Sequence, residues 1–228
     1  ISVWHAEGRL LLPGVAEPLT PPPAVPERHL EFRDRIVEGG ADPVEEHGVL
    51  VGEVRGLEVC RVVDDLYSGT TRLEVGLGAH DREAFAMMHG DVPTIESLAR
   101  VVQAVLEHRQ VDASPHPLNR IAAERLLRWR VIDEPEAVGA ATLAVAQPPV
   151  PRPNLKDPTP CVATGEDAAG DRLVVVCSTG VELDLVPFAA DACLAHDVSD
   201  GREAQLVIVT PARDRLPITD DIARLLRD

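Results

Sequence analysis

Residues 49–63 read VLVGEVRGLEVCRVV, and after the polar stretch 64–71 residues 72–78 read RLEVGLG. The first segment is dense in β-branched side chains and the second alternates apolar with small or charged ones, the patterns that strands favour. Together they predict an antiparallel pair. Outward from this pair, IESLARVVQAVLEH (95–108) places Leu98, Val101, Val102 and Val105 at helical spacing, behind Thr94 as a cap and with Glu96 in the first turn. A helix from Thr94 is expected. Upstream, ERHLEFRDRIVE (27–38) carries Leu30, Phe32, Ile36 and Val37 on a partly helical period, which predicts a short amphipathic helix stopped by Gly39-Gly40. The prolines of residues 1–26 forbid a continuous helix and predict an extended arm over the body.

Downstream, NRIAAERLLRWRVI (119–132) predicts a second helix burying Ile121, Ala122, Leu126 and Trp129. The proline-dense residues 146–160 read as a connector. CVATGED (161–167), RLVVVCSTGVELDLVPF (172–188) and QLVIVT (205–210) read as strands, and ITDDIARLLR (218–227) as a terminal helix capped by Thr219. Strand pair, strand and helix are thus written twice. Gly56 aligns with Gly180, Glu58 with Glu182 and Pro93 with Pro217, each at an offset of 124, while Asp81 and Arg82 align with Asp214 and Arg215 at 133. The insertion EAFAMMHGD (83–91) accounts for the difference. The expected fold is therefore α/β, with two similar mixed-sheet units forming an internal duplication and a pseudo-dimer. Residues 1–26 form the arm, 27–110 the first unit and 111–228 the second unit with its connector.

Composition narrows the chemistry. A net charge of −16 over 228 residues disfavours general nucleic-acid binding, leaving only a local basic groove for such a partner. The apolar run LVVVC (173–177) is far too short to span a membrane, and no basic segment precedes an apolar one at the N-terminus. A cytoplasmic location without membrane attachment is expected. Cys60, Cys161, Cys177 and Cys193 are spaced singly, which predicts buried free thiols. Of 22 basic residues only Lys156, in the connector, is a lysine, so Schiff-base chemistry or a lysine general base would have to use it.

The candidate chemical residues are Glu58 and Glu74, one acid on each predicted strand, with His80, Asp81, Glu83 and His89 in the loop that follows. Glu58, Glu74, His80 and Asp81 supply ligand types for a divalent cation, Mg²⁺ or Mn²⁺, and the loop cluster has the residue types for acid–base work as well. The competing reading makes Glu74, Gly76 and Gly78 the solvent face of an antiparallel strand.

GVELDLVPFAAD (180–191), followed by QLVIVTPARD (205–214) and preceded by the 119–132 helix, resembles the core of the PD-(D/E)XK nuclease superfamily over residues 118–227. The resemblance implies two strand acids on a divalent metal and a lysine that stabilises the attacking species or the phosphate. Asp184 takes the first acid position and Glu124 that of a helical glutamate, while Val207-Ile208-Val209 lacks both the second acid and the lysine. In the first unit Glu58 and Glu74 supply both acids, and the lysine position falls on Gly76, with Arg82 or His80 in reach from the loop. Two functions follow. One is a noncatalytic scaffold with a degenerate nuclease-like core, engaging a protein partner or its own homodimer. The other is a divalent-metal phosphodiesterase or nuclease using the first unit.

Overall fold

Arg55 and Gly56 both adopt positive φ, 48° and 77°, a two-residue turn that folds residues 49–63 back on themselves. The single strand expected there is a hairpin, because Gly56 supplies the left-handed conformation that an Arg-Gly pair does not advertise. The computed structural model describes residues 4–15, 18–65, 69–78, 81–82, 94–110, 116–152, 158–196 and 204–227. His80, Glu83, His89 and Lys156 lie outside them.

The N-terminal arm is a two-stranded hairpin of β1 (Trp4–Glu7) and β2 (Leu10–Pro13), followed by extended chain. The predicted helix over 27–38 is broken into α1 (Glu27–Leu30) and α2 (Arg33–Glu38), the latter ending at Gly39. The first large sheet is β3 (Asp42–Glu46), β4 (Val49–Val54), β5 (Leu57–Asp64) and β6 (Thr71–Val75), in that order and antiparallel throughout. The helix α3 (Thr94–His108) packs Leu98, Val102 and Val105 into the core that this sheet builds with Ile36, Leu50 and Cys60.

A 3-10 turn (Pro117–Arg120) leads into α4 (Ala123–Asp133). The second large sheet is β7 (Ala140–Ala146), β8 (Cys161–Asp167), β9 (Arg172–Cys177) and β10 (Gln205–Val209). Its first three strands are antiparallel neighbours, and β10 lies parallel to β9. A parallel pair needs a crossover, and α5 (Leu185–His196) provides it. Residues 178–188, expected as strand, are therefore a turn and the start of a helix. The terminal helix α6 (Pro217–Ala223) begins on Pro217 with no side-chain cap, so Thr219 sits inside its first turn rather than capping it.

Odd-numbered side chains of β8 and β9 (Cys161, Ala163, Leu173, Val175, Cys177) pack on Val131 of α4, and even-numbered ones (Val162, Val174, Val176) on Leu185, Phe188 and Ala189 of α5. The other side of α4 meets the first sheet. The layers thus run α2 and α3, first sheet, α4, second sheet, α5. The molecule is mixed α/β, but the offset of 124 sets strand β5 against a turn and the helix α5. The first sheet is wholly antiparallel whereas the second is mixed, and a single helix, α4, lies between them.

Candidate functional site

Strand β5 carries a bulge. Its register with β4 steps from Gly52↔Cys60 to Glu53↔Glu58, so Val59 is the extra residue. Without it Glu58 would share the core face with Cys60; with it Glu58 turns to the opposite face, alongside Glu53, Arg61 and Glu74. That face is the one α4 covers. Glu53 and Glu58 are 3% and 2% exposed, so the carboxylates lie in a closed layer between the sheets.

Glu58 and Glu74 do converge, and the group between them is the Arg82 guanidinium, with Nη1 donating to Glu58 Oε1 at 3.2 Å and Nε 3.4 Å from Glu74 Oε2. Arg61 holds Glu58 bidentately, Nε and Nη2 each at 2.9 Å. Arg152, from the connector, adds a third donor at 3.2 Å. On Glu74, Arg72 Nη2 donates at 2.8 Å. Asp81 turns away from this group, its Oδ2 accepting from the Leu77 amide at 2.5 Å. Among the described residues no group of three or more His, Cys, Asp or Glu side chains could hold a metal ion.

Helix α4 supplies the charges that composition and periodicity did not assign. Arg125 Nη1 donates to Glu53 Oε1 at 2.5 Å and Nη2 to both oxygens of Glu46 at 2.7 and 2.5 Å, while Arg128 Nη2 donates to Glu53 Oε2 at 2.8 Å. Burial works against the Glu53 carboxylate, but Arg128 and Arg125 outweigh it and hold the group below the usual carboxylate range. The signal was present in the sequence: a lone Glu53 in a strand apolar on both faces needs a buried counter-charge. Trp129, expected in the apolar core, is only partly buried and lies under the Arg55 guanidinium at 4.9 Å.

Glu124 is the exception. It is 2% exposed, its Oε1 finds no partner among the described residues, and burial pushes its carboxyl up. The nearby Cys161 Sγ donates to the Glu124 backbone oxygen at 3.2 Å rather than to the side chain. Burial also pushes the Cys60 and Cys161 thiols up to about 12, so neither is a thiolate nucleophile near neutral pH. Asp184, the acid carried over from the nuclease resemblance, stands in the turn before α5 rather than on a strand, where its amide donates to Glu182 Oε1 at 3.1 Å.

Arg109 closes the layer. Fully buried and with no carboxylate on it among the described residues, it donates to the carbonyls of Arg55 (3.0 Å), Leu118 (2.7 Å), Ile121 (2.9 Å) and Ala122 (3.1 Å). It thereby ties the β4–β5 turn to the start of α4. The connector adds a second tie: Gln147 Oε1 accepts from the His47 amide at 3.0 Å, and His196 Nε2 pairs with Gln147 O at 2.7 Å.

The arrangement is one in which arginines occupy the positions that a cation would take beside these acids. Comparisons of the chain with known protein families, with characterised proteins and with solved structures gave no match.

Proposed function

We propose that this chain is a noncatalytic interaction protein whose nuclease-like core is degenerate, acting as a scaffold for a protein partner or for a second copy of itself. The observation that carries the reading is the neutralisation of the buried Glu58 by Arg61, Arg82 and Arg152. A carboxylate that accepts four hydrogen bonds from three guanidiniums has no lone pair left to offer a divalent cation. The absence of a lysine and of a second acid at Val207-Ile208-Val209 supports the same reading. No helix among the described residues is long and apolar enough to cross a membrane.

The alternative, a phosphodiesterase dependent on Mg²⁺ or Mn²⁺, rests on the convergence of Glu58 and Glu74 on one group. Hydrolysis of bis-p-nitrophenyl phosphate in the presence of Mn²⁺ separates the two. The expected result is no turnover above the metal-only rate; turnover that vanishes in Glu58→Ala would establish the enzyme instead.

A further inference from the structure

Two uncovered features sit on this one chain. The first is the β1–β2 hairpin, whose strands pair only with each other among the described residues. Leu10 and Leu12 point to one face and Leu11 to the other, and all are exposed, Leu11 at 67%, as is Trp4. An isolated two-stranded hairpin is marginal in water, and large apolar side chains on both its faces call for a cover. Residues 18–26 link it to α1 as extended chain, with Pro23 beside Gly48 and Val25 buried in the first core.

The second feature is a cleft of about 480 Å³ beside β10, lined consecutively by Val207, Ile208, Val209 and Thr210. Successive strand side chains point to opposite faces, so four in a row line one cavity only if it runs along the strand's edge. Among the described residues β10 is an edge strand, bonded to β9 alone. Val209 O accepts from Ser178 N on the β9 side. By alternation, Leu206, Ile208 and Thr210 direct their amides and carbonyls to the open edge. Opposite this edge stand Leu216 and Ala223 at the two ends of α6.

We infer that the open edge of β10 is a strand-addition site occupied by the N-terminal hairpin of a second copy of this chain, in a reciprocal two-fold dimer. The inference rests on the interaction reading above. Backbone pairing at the edge gives affinity, and the apolar walls select the side chains. The loop that supplies Gly180 and Glu182 to the cleft also carries the exposed Val181 and Leu183, which meet the hairpin's other apolar face. Charge does not oppose this occupant. The cleft is lined by Glu182, Asp214 and Asp220, with Arg215 already paired to Asp220 at 2.8 Å. Within a chain of net charge −16, residues 4–13 balance Glu7 with Arg9 at the hairpin turn, so an acidic groove does not repel them. Exchange of identical elements covers both features at once and closes as an isologous pair.

Size-exclusion chromatography with light scattering on the full chain tests this. The native chain is expected at twice the monomer mass. Leu11→Glu, on a side chain already exposed, and Ile208→Pro, which removes an edge amide without touching the β9 ladder, are each expected to give monomers. Because each dimer has two equivalent contacts, an equimolar mixture of these variants keeps one intact hairpin facing one intact edge, and dimer is expected to reappear. Circular dichroism checks that both fold; should Ile208→Pro unfold, Thr210→Pro removes the neighbouring edge amide outside the core. A monomeric native chain, a dimer that survives Leu11→Glu, or a mixture that stays monomeric would overturn the inference. None of these outcomes bears on phosphodiester turnover, which tests the noncatalytic reading separately.

Discussion

Glu53 and Glu124 are both almost wholly buried, yet they depend on pH in opposite directions. Glu53 is held below its ordinary range by Arg128 and Arg125, so its contribution to stability is present above the unfolded pKa and is lost as pH falls through the folded one. Glu124 is pushed up by burial, so the cost of ionising it is absent below the unfolded pKa and grows until pH passes the folded value. Glu53→Gln leaves two buried guanidiniums short of charge and is expected to cost on the order of 3 kcal/mol at neutral pH. Glu124→Gln keeps the shape and removes the charge; it is expected to raise the midpoint of thermal unfolding by about 2–4 °C at neutral pH and by little at pH 4. Thermal melts of both variants across pH check the pair of signs. Equal destabilisation by the two would show that Glu124 has a cation of its own.

Among the elements, α3 was the most legible, because a single apolar stripe over four turns has no competing explanation. Helix α4 was found but its buried face was misjudged. Arg125 and Arg128 look like a solvent face until Glu46 and Glu53 are seen opposite them, and the pairing spans more than 70 positions, 125 to 53. Helix α5 was missed: Leu185–His196 carries apolar side chains on its exposed face as well as on the face packed against the second sheet, so it shows neither helical nor strand period. That Glu58 and Glu74 stand on two successive strands was legible; that they converge was not. What set Glu58 on the same face as Glu74 is the Val59 bulge, which leaves no mark in composition. The β4–β5 hairpin reaches α4 so closely that a Cβ on Gly56 would lie 2.4 Å from the Arg125 carbonyl oxygen, at a φ of 77°. Gly56→Ala is therefore expected to destabilise the fold by at least about 2 kcal/mol through clash and backbone strain together. Urea denaturation measures it, and a change within about 0.5 kcal/mol, the scale of an ordinary surface substitution, would contradict this packing.

At the scale of the whole molecule, the two sheets share one helix and one layer of buried charge, closed by Arg109 and by the Gln147 contacts. Neither sheet can lose that layer without leaving guanidiniums or carboxylates uncompensated, so unfolding is expected as one transition with equal calorimetric and van't Hoff enthalpies. Glu53→Gln should move that transition without splitting it. Two resolved transitions would mean that the layer is weaker than its geometry implies.

The same layer carries the functional reading, since it is arginine that meets Glu58 and Glu74. Calorimetric titration of the full chain with Mn²⁺ near neutral pH tests this most directly. The account predicts no saturable heat that distinguishes the native chain from Glu58→Ala with Glu74→Ala; stoichiometric binding to the native chain that disappears in the double variant would contradict it.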